Sequence, residues 1–350
     1  MKKNAFTILT LILTTFFAHS QPGIPDTKDA WSHAAEIVAR INAPDFPMRD
    51  FVITNFGAVA GGSNDCTAAI AKAIDVCVAA GGGRVVVPVG EFLTGAIHLQ
   101  SNVELHLETN STLTFSTDPR AYLPAVFTRF EGTECYNFSP LIYALGQKNV
   151  AVTGDGTSDG QADDASWLAW KNTSARQRLA QMAEDNVPVA ERQFGEADHL
   201  RPDFIEFNRC ENVLVEGVKI RRSPMWEIHP LLCTNVIVRG VDILSHGANN
   251  DGCDPESCHD VLVERCWFDT GDDCIAIKSG RNADGRRVGV PAENIVIRDC
   301  TMHDGHGGVT IGSEISGGCS NVFVENCVMD SPNLTCVLRL KNNAMRGGIL

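Results

Sequence analysis

Apolar residues recur along the chain in short runs that alternate with polar residues, which is typical of half-buried β-strands. Five of these runs share one pattern, and they begin 23, 25, 34 and 27 residues apart. They are NVLVEGVKI from Asn212, NVIVRGVDI from Asn235, DVLVERCWF from Asp260, NIVIRDCTM from Asn294 and NVFVENCVM from Asn321. Weaker copies begin at Asn102 and Asn149.

This repeat predicts a solenoid. A strand this short cannot bury its apolar face alone, so successive copies must stack as rungs on one another. The unequal spacing favours a parallel β-helix, in which the loops between rungs vary in length, over leucine-rich or propeller repeats. We therefore expect an all-β fold.

Two columns of the repeat carry specific residue types. The first position is Asn or Asp, which suits a side chain that caps a turn and stacks on its own kind. The seventh position is occupied by Val218, Val241, Cys266, Cys300 and Cys327. Because cysteine replaces valine there, we interpret these cysteines as small buried hydrophobic residues.

The cysteine count leaves an alternative open. There are 13 cysteines, an odd number, and no CxxC pair or other zinc spacing. A disulfide such as Cys253 with Cys258 remains a second interpretation.

The N-terminus resembles a secretory signal peptide. Lys2 and Lys3 precede an apolar run over residues 5–18, and small residues follow before Gln21. We assign residues 1–20 to the signal peptide, 21–50 to an N-terminal lead segment and 51–350 to the β-helix domain. This predicts a secreted or periplasmic protein without a membrane partner, since no later segment approaches eighteen uninterrupted apolar residues.

Three segments interrupt or end the repeat. Residues 63–65 offer an N-cap for the amphipathic run TAAIAKAIDVCVAA, which Gly81 to Gly83 end, and this predicts a helix that caps the stack. Residues 157–203 are polar and lack the repeat, so they form an insertion that either shapes a cleft or is an inert surface loop. The chain stops at Leu350, barely one strand after the last repeat, which indicates truncation.

The formal net charge of −14 disfavours nucleic acid and anionic membranes as partners. We expect a monomer. An acidic chain that binds a polyanion would need a local patch of cations.

Polar side chains recur at matching places in successive copies. Asp272 lies twelve residues after Asp260, and His306 lies twelve after Asn294, so GDDCIAIKSG aligns with GHGGVTIGSE. Asp251 falls on the preceding rung, while Arg339 and Lys341 fall on the following one. Four successive rungs would thus present carboxylates, an imidazole and two cations along one face.

Each part also has an ordinary structural interpretation. Asp251-Gly252 is a common turn sequence, the residues around His306 suit a flexible loop, and Arg339 and Lys341 suit a solvated strand. Alignment of all of them on one face favours a functional site.

These residues resemble the signature motifs of the polygalacturonases of glycoside hydrolase family 28. The four motifs occur in the family's order as Asn249-Asn250-Asp251, Gly271-Asp272-Asp273, Gly305-His306-Gly307 and Arg339-Leu340-Lys341. Two positions depart from the family pattern, with Asn250 in place of Thr and Leu340 in place of Ile. The resemblance runs from about Phe51 to the end of the chain.

The resemblance implies a right-handed, single-stranded parallel β-helix that hydrolyses α-1,4-galacturonosidic bonds of pectin with inversion. Inverting glycosidases use one acid and one base, generally about 6.5 to 9.5 Å apart. By motif position Asp272 is the general acid, Asp251 and Asp273 hold and deprotonate water, and His306 tunes their protonation. Crowding of three carboxylates should raise one pKa.

The resemblance also implies which residues bind the substrate. Arg339 and Lys341 would hold a uronate carboxylate, and Asn249 and Lys278 are further candidates, although a solvated lysine is the commoner case. No metal or other cofactor is expected, and the expected partner is the pectic polysaccharide.

Three alternatives to this function remain open. The first is a rhamnogalacturonan or xylogalacturonan hydrolase of the same family. The second is a pectate lyase-like enzyme, which would use calcium and an arginine base and would release an unsaturated product. The third is a β-helix that binds polysaccharide without catalysis.

Overall fold

The computed structural model describes residues 27–350. The predicted signal peptide and residues 21–26 of the lead segment lie outside the described residues. Four α-helices occur within that range, namely α1 (Thr27–Arg40), α2 (Thr67–Ala79), α3 (Ser174–Glu184) and α4 (Asn282–Val288). None of them is long and apolar enough to cross a membrane.

Most of the described chain forms short β-strands. In chain order they are β1 (Asp50–Val52), β2 (Gly83–Val87), β3 (Gly90–Thr94), β4 (Ile97–His98), β5 (Val103–Leu107), β6 (Ser111–Phe115), β7 (Val126–Phe130), β8 (Thr133–Asn137), β9 (Ile142–Leu145), β10 (Lys148–Gly154), β11 (Thr157–Asp159), β12 (Ile205–Asn208), β13 (Glu211–Glu216), β14 (Lys219–Arg221), β15 (Ile228–Leu231), β16 (Thr234–Arg239), β17 (Asp242–Ser245), β18 (His259–Glu264), β19 (Trp267–Thr270), β20 (Ile275–Ile277), β21 (Ala292–Arg298), β22 (Thr301–Asp304), β23 (Val309–Gly312), β24 (Cys319–Glu325) and β25 (Leu338–Lys341).

The strands form three parallel sheets that run along one stack. The first sheet has nine strands, in the order β1-β2-β5-β10-β13-β16-β18-β21-β24, and the second has seven, from β3 to β22. The third sheet has two parts, β4-β9-β12-β15 and β20-β23-β25. Cys253 joins them, because it forms one bridge to Ile228 of β15 and one to Ile275 of β20. Parallel crossovers are almost always right-handed. The chain is therefore the predicted all-β, right-handed parallel β-helix.

The repeat positions align as predicted. In the first sheet Val213 pairs with Val236, which pairs with Val261, which pairs with Ile295. These side chains point into the stack and are almost completely buried in one continuous core. Stacking of apolar side chains along that core supplies most of the driving force for folding.

All thirteen cysteines are free, and all but Cys327 and Cys336 are buried. The interpretation of the seventh-position cysteines as core residues is therefore confirmed for Cys266 and Cys300, which are 2% and 1% exposed. Cys253 and Cys258 are both buried thiols, so the alternative of a disulfide between them is wrong in this structure.

Helix α2 caps the start of the stack, as predicted. Ile70 and Ile74 on its inner face join the same core as the first strands. Its N-cap residue is Cys66, and the carboxylate of the preceding Asp65 accepts a hydrogen bond of 2.9 Å from the amide of Thr67. Gly82 follows the helix with φ +97° and donates its amide to the carbonyl of Cys77, which ends the helix.

Helix α1 is an element that the repeat analysis did not predict. It lies within the expected lead segment, and its buried residues Ala34 and Ile37, with Ile41 directly after it, pack on the outer face of the first sheet. The sheet residues they contact are Ala151, Leu214, Ile237, Leu262 and Val296. The first sheet is therefore buried on both faces where the helix covers it.

The insertion begins later than predicted, since Thr157–Asp159 is strand β11 of the second sheet. After it, Leu179 of α3 packs with Phe194, Leu200 and Trp226 in a separate small core. The antiparallel hairpin β7–β8 joins this core through Phe130 and Cys135. Hairpin and insertion thus lie together against the first part of the third sheet, next to the motif residues.

Candidate active site

The motif residues lie at the corners where the second sheet leads into the third. Asn249 to Asp251 follow β17, Asp272 and Asp273 stand between β19 and β20, and His306 stands between β22 and β23. Neighbouring residues on a strand would point to opposite faces, but Asp272 and Asp273 occupy a corner. Both can therefore face the same site.

Backbone hydrogen bonds establish the register of these corners. The amide of Asp272 donates to the carbonyl of Asn250 at 3.2 Å, and the amide of His306 donates to the carbonyl of Asp272 at 2.9 Å. The expectation that Asp272 and His306 occupy matching places on successive rungs is confirmed. Arg339 and Lys341 lie on β25, which pairs with β23 on the next rung.

Glycines allow the corners to approach one another. A Cβ at Gly271 would collide with the backbone of Gly247 on the rung before. A Cβ at Gly307 would lie 2.9 Å from Oδ1 of Asp273. The two adjacent aspartates predict a bend or bulge of the chain near Gly271, and the register of β19 shifts close to it, between Phe268 and Asp269.

Three carboxylates converge. Asp251, Asp272 and Asp273 each offer an oxygen within 4.8 Å of those of the other two. Asp251 and Asp273 are buried, whereas the Asp272 side chain is 17% exposed. Asp272 is therefore the member of the triad that a ligand in the cleft can reach.

Asp272 is bound to the imidazole that the sequence predicts. Nδ1 of His306 lies 3.0 Å from Oδ1 of Asp272, and the amide of Asp273 donates to the same oxygen at 3.0 Å. The His306 ring is 56% exposed. One proton can thus be shared between a carboxyl and an imidazole at the open side of the triad.

Asp273 is bound to the two predicted cations. Nη1 of Arg339 lies 3.3 Å from Oδ1, and Nζ of Lys341 lies 3.4 Å from Oδ2. Both cations are about one-third exposed, so each keeps donors that face the cleft. Two positive charges thus lie beside this buried carboxyl.

Lys278 is buried, whereas its predicted role as a substrate ligand requires a side chain that is open to the cleft. It is 2% exposed, and its Nζ lies 3.5 Å from Asp251 and 3.6 Å from Asp254. Nζ also lies 3.5 Å from Glu314 and 4.4 Å above the centre of the Trp226 ring. Its burial argues against direct contact with a substrate.

Asn249 is held by a residue of the insertion. Its Oδ1 accepts a hydrogen bond of 2.7 Å from Arg201, whose guanidinium also donates to the carbonyls of Pro224 and Ala248. Arg201 is buried. The sequence analysis missed it because an arginine in a polar insertion carries no signal of its own.

The raised pKa that the sequence analysis expected falls on the buried carboxyls. Burial, and then the charge of Asp254, raise the pKa of Asp251 well above its usual value. Burial raises the pKa of Asp254 to about 8. Lys278 opposes both effects, because its positive charge favours the ionised carboxylates.

The sequence analysis also missed Asp254, Glu314 and Trp226. The one available signal was the spacing of Asp254, three residues after Asp251 in NDGCDP. Glu314 and Trp226 have no such signal, because only the fold brings them to Lys278.

In the described part of the chain, two further groups of side chains have possible metal-binding atoms within 4.8 Å of one another. The first is Asp203, Glu206 and His229, and the second is His246, Asp269 and Asp304. In the first group His229 already binds Asp203 and Glu256. The carboxylates of the triad face Lys278, Arg339 and Lys341. We therefore assign no metal ligand.

The motif residues lie in a part of the chain that matches a known protein family. The sequence model of a family described as glycosyl hydrolases family 28 matches residues 77–348. A probable polygalacturonase of Vitis vinifera is 30% identical over 308 residues, covering 85% of this chain and 57% of the relative. An exo-poly-alpha-D-galacturonosidase of Dickeya chrysanthemi is 28% identical over 328 residues, covering 85% and 52%. The chain thus spans about half the length of these curated relatives.

A solved structure is more similar. The hyperthermoactive exopolygalacturonase from Thermotoga maritima is 50% identical with a TM-score of 0.88, and the match covers 91% of this chain and 74% of that one. A polygalacturonase from Erwinia carotovora ssp. carotovora shares the fold, with 22% identity and a TM-score of 0.64.

Proposed function

Because the chain belongs to glycosyl hydrolase family 28, we propose that it hydrolyses α-1,4-galacturonosidic bonds of pectic galacturonan. The observation that carries the proposal is that three carboxylates lie together with an imidazole and two partly exposed cations at one cleft. A polyanionic sugar needs such cations, and glycoside hydrolysis needs such carboxyls.

Asp272 is the general acid in this proposal. It is the exposed member of the triad, so its proton can reach the oxygen of the leaving sugar. As the glycosidic bond breaks, that oxygen takes the proton and Asp272 becomes a carboxylate. His306, at 3.0 Å, positions Asp272 and exchanges the proton with solvent.

Asp251 and Asp273 hold the attacking water. Water attacks the anomeric carbon as the bond to the leaving sugar breaks, and its proton passes to one of these carboxylates. Arg339 and Lys341 both face Asp273, and Lys278 faces Asp251. Burial and the charge of Asp254 raise the pKa of Asp251, whereas the charge of Lys278 lowers it.

Arg339 and Lys341 recognise the uronate. The guanidinium offers a two-pronged match to a carboxylate, and the ammonium offers a point charge. Since both cations contact Asp273 as well, the bound uronate lies beside this buried carboxyl. This arrangement favours galacturonate over neutral sugars at the cleavage site.

The proposal includes inversion at the anomeric carbon, which the family resemblance supports. The nearest oxygens of the triad lie within 4.8 Å of one another, closer than the separation of about 6.5 to 9.5 Å that inverting enzymes generally have. Spacing alone therefore does not select inversion. Proton NMR of the first product decides it, because inversion releases the β-anomer from an α-linkage and retention releases the α-anomer.

We further propose that the enzyme acts from a chain end. The insertion walls one side of the site, since Leu168 packs against Gly247 and Arg201 binds Asn249. Arg176 of α3 and Arg281 both bind Glu131 at the tip of the hairpin, which extends that wall. The 50% identity to an exopolygalacturonase supports this choice. Viscosity should then fall slowly per bond cleaved; a rapid fall with long oligomers would contradict it.

The deciding experiment measures reducing ends released from polygalacturonate, with ultraviolet absorbance followed in the same sample. We expect reducing ends without new absorbance, and at least a 1000-fold lower rate for Asp272→Asn, on the order of what loss of an essential acid costs. Asp164→Asn makes the same change at an exposed aspartate and should leave the rate unchanged. New absorbance would indicate a lyase, and sugar binding without release a non-catalytic protein.

Export and oligomeric state belong to the same proposal. We propose that residues 1–20 are removed on secretion and that the mature chain is a monomer. N-terminal sequencing of the protein recovered outside the cytoplasm and light scattering test the two statements.

A further inference from the structure

Lys278 is the cation of a buried cluster that shares Asp251 with the triad. It follows strand β20 and is 2% exposed, and the face of Trp226 covers its Nζ at 4.4 Å. Three carboxylates surround the same Nζ at 3.5 to 3.6 Å, from Asp251, Asp254 and Glu314. They come from the rungs before and after Lys278.

The cluster has more acids than cations. Among residues 27–350, Lys278 is the only cation within 4.0 Å of an Asp251 oxygen. Neither oxygen of Asp254 has a hydrogen-bond partner in the described part of the chain. Glu314 also has Arg346 at 3.5 Å and the hydroxyl of Ser313 at 2.9 Å. Asp251 and Asp254 therefore compete for one buried charge.

Most of the groups around Asp251 oppose its ionisation. Asp254, Asp272 and Asp273 all act on it as like charges, and burial removes it from water. Of the more distant groups, Glu227 is buried without a partner for either oxygen, and Arg201 is bound to backbone carbonyls and Asn249. Only Lys278 among the near groups favours the carboxylate that a base requires.

We infer that Lys278 is a positioning residue that holds Asp251 as an ionised base, and that Asp254 limits this effect by sharing the same cation. The inference rests on the proposed function, and it replaces the expected contact between Lys278 and substrate. A substrate ligand would act mainly on KM. A residue that sets the charge of the base acts on kcat and on its pH dependence.

Two substitutions should move the acidic limb of the kcat profile in opposite directions. Lys278→Met removes the charge that favours ionised Asp251, so the pKa of Asp251 rises and the acidic limb moves to higher pH. We expect kcat at the wild-type optimum to fall at least about 10-fold, with KM within twofold. Asp254→Asn removes the carboxyl that shares Lys278 with Asp251, so the acidic limb should move to lower pH.

Lys341→Met provides the contrast, because this partly exposed cation faces the cleft and should act mainly on KM. Lys72→Met, at an exposed position of α2, should change neither KM nor the acidic limb. A rise in KM for Lys278→Met without movement of the acidic limb would overturn the inference. Movement of the limb in the same direction for both buried variants would overturn it too.

A second measurement separates this inference from the proposed function. Carbon-13 NMR of aspartate-labelled protein follows the titration of Asp251 directly, with Asp251→Asn identifying its signal. The pKa of Asp251 should be higher in Lys278→Met than in wild type and lower in Asp254→Asn, even if polygalacturonate is not the substrate. Equal pKa values in the three proteins would overturn the inference.

Discussion

Each strand of the first sheet from β5 to β24 has an asparagine near its start, except β18, which has Asp260 there. These residues adopt a left-handed conformation, with φ between +54° and +66° from Asn102 to Asn321. Their amides donate along the stack, from Asn149 to Asn102, from Asn212 to Asn149 and from Asn235 to Asn212, each at 2.8 Å. The side-chain ladder that the first column predicts is confirmed.

The ladder breaks where the sequence has aspartate. Asp260 has no amide hydrogens to donate, so Oδ1 of Asn235 accepts from the backbone of Asn42 instead, at 2.9 Å. Asp260 in turn binds the guanidinium of Arg40, at the end of α1. Asp260, the one acidic residue in this column, thus forms an ion pair with the last residue of α1.

Asn235→Ala tests the ladder at the residue scale. It removes the hydrogen bonds to Asn212 and Asn42 and places alanine, which tolerates the left-handed region less well than asparagine, at φ +58°, so we expect a loss of about 1 to 3 kcal/mol of unfolding free energy. Asn235→Gly relieves the backbone conformation but not the lost bonds, and should be the less destabilised of the two. Urea denaturation measures both; an unchanged midpoint for Asn235→Ala would contradict the role of the ladder.

At the scale of elements, α1 accounts for a feature of the repeat that alternation does not explain. The middle residue of each apolar triplet, such as Leu214 or Ile237, points out of the stack. An outward face open to water would carry polar residues there, whereas a continuous apolar run indicates burial on both sides. The triplets therefore held a signal for a covering element.

Ile37→Ala tests that contact. Ile37 is fully buried between α1 and the first sheet, so the substitution leaves a cavity. We expect it to lower the free energy of unfolding by about 2 to 5 kcal/mol. Glu36→Ala, one position along on the exposed side of the helix, is the matched control and should cost far less. A wild-type melting temperature for Ile37→Ala would show that α1 adds nothing to stability.

At the scale of the whole molecule, a buried polar network joins the hairpin and the insertion to the third sheet. His229 binds Asp203 of the insertion at 2.8 Å and Glu256 at 3.0 Å. Glu256 also binds Arg129 of β7 at 2.9 Å, and Thr128 of the same strand binds Glu206. Since this network lies beside the site, its charge state governs how firmly the wall of the cleft is held.

This network predicts how stability depends on pH. Burial opposes the charge of His229, but hydrogen bonds to Asp203 and Glu256 outweigh it and raise the pKa of His229 from 6.5 to about 10. A base with a raised pKa contributes stability that is complete below pH 6.5 and is lost as pH rises towards 10. We expect the melting temperature to fall over that range, by a free energy on the order of a few kcal/mol.

His229→Gln is the check on this assignment. It keeps a hydrogen-bonding side chain without the titrating charge, so it should be less stable at neutral pH and should show a flatter decline above pH 6.5. Calorimetry at a series of pH values measures both proteins. An identical slope in the two would contradict the role of His229.

Much of the fold was predictable because it is local and repeated. One period of alternating residues fixes which side chains point inward, and stacking then follows for every copy. The start of α2 and its end at the glycines were predictable for the same reason. Helix α1 and the hairpin β7–β8 were not, because their partners lie more than 100 residues away in the chain or outside the repeat.

The sequence by itself determined the β-helix, the register that aligns Asp272 with His306, and the residue types at the cleft, because each follows from counting along a repeat. Tertiary structure decided the surroundings of those residues. Lys278 is a buried partner of Asp251 because carboxylates from neighbouring rungs close around it. Arg201 reaches Asn249 because the insertion folds back over the site. Charge, burial and pKa depend on such neighbours in space, and distance along the chain does not reveal them.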